Sequence, residues 1–344
     1  MTPSVEAPDW CADPKSWPAE VAAWVDAMLR PAGRVRTGAP EQVERRPWAI
    51  VLRIPTDRGT VWFKDNVTAQ RHEAALVATL SSLVPGAVLD PIAVDGDRGW
   101  LLMPDGGCTV HDLRRDTEVE VWAEVVGRWA ATARALADHT GALTGSGVDV
   151  LGAGDALAYL QRRTEEIAMI AADDPAAVAP EALTGLRKAM PALGDALGAL
   201  DRLGLPDTLV HNDLHTSNVF APGAPDASWA VFDLGDALLS SPLADLLVPL
   251  RFAARARGTS LDDPELAPVV DAAFDVWADA TDPAALRAAL PGALVLGCLC
   301  RSESWRRIVT PSVAEAAPEL ATASPDWLLE TVALPGVTHA TDRA

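Results

Sequence analysis

Residues 209–221 read LVHNDLHTSNVFA and residues 229–237 read WAVFDLGDA. The first stretch holds His211, Asp213, His215 and Asn218, and the second holds Asp233. The chain has three Asn and six His, and two of each fall between residues 211 and 218. A chain this poor in both has little chance of gathering them by accident. H-x-D-x-x-x-x-N followed by a strand ending in Asp suits phosphoryl transfer from a metal-bound nucleotide. One carboxylate, Asp213, meets the accepting hydroxyl. The amide oxygen of Asn218 and the carboxylate of Asp233 are hard oxygen donors of the kind Mg²⁺ takes alongside phosphate oxygens. Asp233 ends the apolar run WAVFD, so its carboxylate should emerge at a strand terminus.

Upstream, WAIVLRIPTDRGTVWFKDN reads as a hairpin, with strands Trp48–Pro55 and Thr60–Lys64 around a turn at Thr56–Gly59. TAQRHEAALVATLSSLVPG follows as a helix closed by Pro85–Gly86. AVLDPIAVD and GWLLMPD read as two more strands. The helical pattern PAEVAAWVDAMLR, about residues 18–30, precedes the sheet. After Gly106–Gly107 the pattern turns helical: 118–139, 154–172, 180–203, and everything beyond Pro242, with Pro291 expected to separate two helices. The expected fold is α+β and bilobal. Residues 1–104 form a small antiparallel sheet lobe with one helix. Residues 105–344 form a helical lobe carrying a loop at 211–218 and a metal segment at 233–236.

LLMPDGG joins the lobes and fits an adenine site. Pro104 offers a carbonyl and no N–H, Gly106 a free N–H with no side chain in the way, and Met103 backs the base. Lys64 ends an apolar strand and is one of three lysines against 25 arginines, which points to a need for a compact ammonium there. Glu73 is the only acidic residue of the following helix. His211, after the strand TLV, is expected to support the loop by donating to a neighbouring carbonyl or carboxylate, and Asp245, in PLADLL, to anchor it by accepting backbone N–H bonds.

The net charge of −20 argues against a nucleic-acid partner. Residues 1–104 carry 13 acidic and 11 basic side chains, and residues 105–344 carry 35 and 17. An acidic lobe would concentrate a cationic substrate, although solubility alone also accounts for it. No apolar run was expected to reach the length that crosses a bilayer. The start, MTPSVEAPDWCADPKSW, lacks a basic and then apolar signal pattern, so a cytoplasmic place is expected. Cys11, Cys108, Cys298 and Cys300 match no zinc spacing, and the last two, in an apolar run, are expected to pack in the core.

With HNDLHTSN, FDLGDA, PLADLL, VWFKDN and LLMPDGG in this order, the chain resembles the aminoglycoside phosphotransferase family, the broad kinase-like group that includes choline, homoserine and sugar kinases. The resemblance covers nearly all of residues 30–310 and implies a protein-kinase-like fold with ATP and Mg²⁺. It implies that Asp213 takes the hydroxyl proton and that Lys64, oriented by Glu73, contacts the α- and β-phosphates. Asn212 stands where relatives often have Gly. No G-x-G-x-x-G occurs upstream. The phosphate-covering loop should fall within Thr37–Pro47, and that absence, with the missing H-R-D and A-P-E, counts against a protein kinase. The function so read is an ATP-dependent phosphotransferase acting on a small-molecule hydroxyl, possible acceptors being an aminoglycoside or other amino-bearing alcohol. Alternatives are a sugar or macrolide kinase and a catalytically inactive nucleotide-binding regulator. Asp236 and Glu303 are candidates to pair with acceptor ammonium groups, Asp236 alternatively with a second metal, and Trp305 to stack on a sugar or cation. The acceptor, ATP against GTP, and oligomeric state stay open at this point.

Overall fold

The computed structural model describes residues 9–12, 15–221 and 229–337; the outer ends of both expected lobes lie outside the described residues. Five antiparallel strands make the first lobe: β1 (Glu41–Arg45), β2 (Ala49–Thr56), β3 (Gly59–Asn66), β4 (Ala93–Asp95) and β5 (Trp100–Pro104), in the spatial order β1-β2-β3-β5-β4. β2 and β3 pair from Ala49–Asn66 to Thr56–Gly59, and Gly59 takes the positive φ (94°) that the tight turn needs. Alternation sets the two faces. Val61 and Phe63 are fully buried, so Trp62 and Lys64 point the other way, into the cleft.

The short α1 (Asp9–Ala12) and then α2 (Trp17–Leu29) cover the buried face. Trp17, Val21, Val25 and Leu29 recur every fourth residue and make the buried stripe of α2. Burying those four side chains contributes roughly 6–12 kcal/mol before conformational entropy is charged against it. Trp24, Phe63 and Trp100 meet edge to face, with centroids 5.4–5.9 Å apart. β1 is exposed throughout and reads EQVER, a charged edge that discourages further strand pairing.

A 3-10 turn at Thr68–Gln70 leads into α3 (His72–Leu83), so the expected single helix begins later than its pattern suggested. Only the second half of AVLDPIAVD becomes β4. Its first half reaches the other lobe, where Ala87 O accepts the Val231 N–H at 2.9 Å. Pro91, with no N–H to give a ladder, lies between the two halves.

The second lobe contains α4 (Val119–Leu136), α5 (Thr140–Gly145), α6 (Ala156–Ala168), α7 (Pro180–Asp201), α8 (Leu247–Arg257), α9 (Ala267–Trp277), α10 (Pro283–Ile308), α11 (Pro311–Ala316) and α12 (Ala323–Glu330). Two small antiparallel ribbons sit among them. β6 (Thr208–Val210) pairs with β9 (Leu238–Ser240), and β7 (Val219–Phe220) with β8 (Ala230–Val231). The loop 211–218 joins β6 to β7, and the segment 232–237 joins β8 to β9. Both motif loops therefore hang from the same pair of ribbons.

α10 corrects two expectations. Pro291 sits inside one continuous helix. Its missing N–H and ring clash cost about 3 kcal/mol. The helix packs tightly there all the same: Gly292 lies so close to α7 that a Cβ would clash with the Ala196 carbonyl oxygen. Pro283–Ile308 is also, by length and composition, apolar enough to cross a membrane. Here it is a core helix of this lobe, with Leu294–Ser302 all buried. Cys298 and Cys300 are buried free thiols within it, and burial pushes Cys300 up to about 12.

Candidate active site

Lys64 and Asp233, 169 residues apart, meet across the lobes with Nζ 2.5 Å from Oδ1. Glu73 Oε2 lies 2.7 Å from the same ammonium. Glu73 is 2 % exposed, and an ion so buried is tolerable only when its lone pairs are satisfied. Asn66 Nδ2 donates to Oε2 at 2.6 Å, and the Leu234 N–H donates to Oε1 at 3.0 Å. The second bond ties α3 to the metal segment. Burial pulls the Lys64 ammonium down, but Asp233 and Glu73 more than reverse this and hold it above its ordinary value. Burial raises the Asp233 carboxyl, and Lys64 outweighs it, so that group stays lowered and anionic. Asp233 takes φ 62°, a left-handed conformation that Asp tolerates better than most residues.

The loop 211–218 is fixed from below. Asp245 accepts from the His211 N–H (2.7 Å), the Asn212 N–H (2.7 Å) and Trp129 Nε1 (2.6 Å). His211 Nε2 sits 3.0 Å from the Phe232 carbonyl, and its Nδ1 accepts the Asp213 N–H at 3.4 Å. That pairing assigns the proton to Nε2 and ties the loop to the segment before Asp233. Asn212 has φ 64°, a conformation in which Gly is most at home and Asn next. The Gly-to-Asn departure from relatives therefore leaves the turn intact. Asn212 Nδ2 donates to the carbonyls of Asp236 and Cys300, both at 3.1 Å. Asn218 Nδ2 donates to the Asp213 carbonyl at 3.0 Å, which leaves Oδ1 as the end free for a cation. His215 stacks on Phe252 (4.7 Å), and its Nε2 lies 3.6 Å from Asp213 Oδ2.

Met103 and Pro104 end β5 beside Trp62 and Val61 of β3. The connector then lies against β7, held by bonds from Val110 N–H to Val219 O (2.8 Å) and from Ala221 N–H to Cys108 O (2.9 Å). Gly106 is required here for a reason its sequence did not reveal. A Cβ would stand 2.5 Å from the Phe220 ring, which itself stacks on Phe232 at 4.2 Å. Within and just beyond the expected Thr37–Pro47 stretch, β1 and β2 are joined by the four-residue bend Arg46–Ala49, closed by Arg46 N–H to Ala49 O (2.8 Å).

The three residues expected to meet the acceptor are otherwise engaged. Asp236 accepts from Arg301 Nη1 (2.8 Å), Gln70 Nε2 (3.0 Å) and Ser304 Oγ. Glu303 pairs with Arg306 (2.6 Å) and accepts from Tyr159 Oη (2.8 Å). Trp305 packs edge to face on Trp48 of the β1–β2 bend, 5.4 Å between centroids. Sequence reasoning missed Arg301. Its signal was a single basic residue in the run LVLGCLCRSESW, since a charge inside an apolar helix demands a buried partner. A cavity of about 830 Å³ behind α3, lined in part by His72, Arg306, Arg307 and Thr310, holds none of Lys64, Asp213, Asn218 and Asp233. Two of its arginines are neutralised, Arg306 by Glu303 and Arg307 by Asp149.

A five-stranded lobe with a lysine–glutamate pair, set over a helical lobe that presents an Asp–Asn loop and a second Asp, defines a phosphotransferase of protein-kinase-like fold. The chain belongs to the phosphotransferase enzyme family, whose family model matches residues 38–289. No curated protein sequence matches it. Among solved structures it is similar to an ethanolamine kinase of Plasmodium vivax (TM-score 0.58, 12% identity, 87% of this chain and 83% of that one covered). It is also similar to the choline kinase LicA of Streptococcus pneumoniae (0.57, 12%, 93% and 99%) and to a macrolide 2′-phosphotransferase type I (0.53, 15%, 87% and 96%). At these identities the likeness is one of fold.

Proposed function

We propose that this protein moves the γ-phosphate of ATP to a hydroxyl of a small molecule, with Asp213 orienting that hydroxyl and accepting its proton. The contact between Lys64 and Asp233 carries the reading, because a phosphate-binding cation and a metal-binding anion then share one point in the cleft. The donor set suits Mg²⁺: Asp233 is 48 % exposed with Lys64 on one oxygen only, and the Asn218 amide is turned so that its oxygen is free. Bound Mg²⁺ would offset charge on the phosphate oxygens. Lys64, kept cationic by its two carboxylates, offsets more of it. Burial raises the Asp213 carboxyl, and Arg301, then His215, overturns that and holds it well below the usual carboxylate range. A base so weak acts chiefly by aligning the hydroxyl, which a loose transition state rewards. Met103, Pro104 and Gly106, beside the Phe220 ring, would hold the adenine, with Glu73 keeping Lys64 in place.

On the acceptor, the reading favours a hydroxyl compound without an obligatory cation. Asp236 and Glu303 are both paired with arginines of α10, so neither waits for an ammonium. The similar solved structures are named for a macrolide, choline and ethanolamine, and the hydroxyl is what we carry over. An inactive regulator fits poorly with an intact Lys64, Asp213, Asn218 and Asp233. Asp213→Ala should lower ADP release by about a thousandfold while Mg·ATP affinity stays within about twofold; turnover near that of wild type removes Asp213 from its role. A panel of sugars, macrolides and hydroxylated amines, assayed for ADP release, tests the acceptor class. Stimulation by amines alone would overturn the non-cationic reading.

A further inference from the structure

We propose that Arg301 is a positioning residue that sets the rotamer of Asp213, so that Oδ2 is the oxygen offered to the acceptor hydroxyl. The inference rests on the function proposed above. Arg301 is 7 % exposed, and its Nη1 donates to Asp236 Oδ2 at 2.8 Å and to Asn212 O at 3.0 Å, with Asp213 Oδ1 paired to it by charge at 3.2 Å. Two of these lie on the loop itself. Arg301 therefore grips both the left-handed turn that precedes Asp213 and the carboxylate that the turn presents.

Asp236 gives the guanidinium a fixed anchor. It is held in turn by Gln70, which lies in the 3-10 turn before α3, and by Ser304, one turn along α10 from Arg301. The guanidinium also lies over the Trp327 ring at 5.6 Å. Charge, hydrogen bonds and ring thus restrain one side chain from several directions. A planar fork holds such an arrangement, and the ammonium of a lysine does not reproduce it.

The consequence falls on the two oxygens of Asp213. Oδ1 faces the Arg301 guanidinium as an ion pair at 3.2 Å. His215 Nε2 stands 3.6 Å from Oδ2, beyond hydrogen-bond length, so Oδ2 keeps its lone pairs. An acceptor hydroxyl bound there meets an anion whose direction is already fixed. Alignment of that kind is sensitive to small displacements, and a misplacement of about 1 Å costs about a hundredfold.

The test uses the full chain with Mg·ATP as probe and water as acceptor, following ADP release. Arg301→Met and Arg301→Lys are measured alone and each combined with Asp213→Asn. Arg301→Met alone should lower kcat by about a hundredfold with ADP·Mg affinity within about twofold, and Arg301→Lys should recover about tenfold of it. Once Asp213 is Asn, either change should alter kcat by less than about twofold, because the residue acts through that carboxylate. Losses that multiply in the double variants overturn the proposal, as does a fall in nucleotide affinity that matches the fall in kcat. If Arg301→Met does not fold, the Arg301→Lys pair carries the same cycle. Wild-type protein that neither binds Mg·ATP nor releases ADP overturns the proposed function itself, an outcome distinct from multiplying losses in an active enzyme.

Discussion

Replacing Asp245 tests how the loop is held, and the size of the effect follows from three bonds. The carboxylate is 8 % exposed and accepts from the N–H groups of His211 and Asn212 and from Trp129 Nε1, all within 2.7 Å. Asp245→Ala leaves three buried donors without an acceptor. Each such donor costs about 1–3 kcal/mol, and a water entering the space recovers part of that. The expected loss is about 4 kcal/mol, a large share of a typical domain's stability. Asp245→Asn keeps one oxygen and turns an NH₂ toward a donor, for an expected loss of about 2 kcal/mol. Urea unfolding read at a matched denaturant slope gives both values. Because two of the three lost bonds belong to the two residues before Asp213, turnover should fall at least about tenfold in protein that is still folded. An Asp245→Ala protein within 1 kcal/mol of wild type and with full turnover would refute the reasoning.

Gly106→Ala drives a methyl into the Phe220 ring, an overpacking of about 1–3 kcal/mol that should weaken Mg·ATP binding about tenfold by calorimetric titration, and Phe220→Ala in the same chain should recover part of it. Unchanged affinity in Gly106→Ala would separate Phe220 from the base site. Burial, and then Arg307, draws the His72 imidazole down to about 4, against about 6.5 in the unfolded chain. The unfolded state therefore binds the extra proton first, so this contribution is complete above pH 6.5 and is lost as pH falls from 6.5 toward 4. The loss reaches about 2–3 kcal/mol. His72→Leu should flatten the change in urea midpoint between pH 7 and pH 4.5, and an equally steep change in that variant would sink the assignment.

Much of the architecture was readable because its signals are local. Apolar runs on either side of the Thr56–Gly59 turn mark a hairpin, and the four-residue spacing of Trp17, Val21, Val25 and Leu29 marks a covering helix. β9 escaped because Leu238–Ser240 is buried on both faces and so has no alternation to read. Pro291 misled because its local penalty is real, while the helix that contains it packs closely on α7 at Gly292, a contact distant in sequence. At the site, the spacing from Asp213 to Asn218 lies within one loop and stands out. The bond from Arg301 to the Asn212 carbonyl spans 89 residues, and no spacing rule reaches that far. Asp236 and Glu303 were read as available carboxylates because a sequence lists charges without saying which are already matched.

Trp48 rides on the turn of the sheet lobe and Trp305 on a helix of the other lobe, their planes 83° apart. Two indoles this close exchange excitation, and the coupling falls steeply as they separate. The Trp24–Trp100 pair sits wholly within the sheet lobe and supplies a constant background. A far-ultraviolet exciton signal from the Trp48–Trp305 pair would therefore report the spacing between the two lobes.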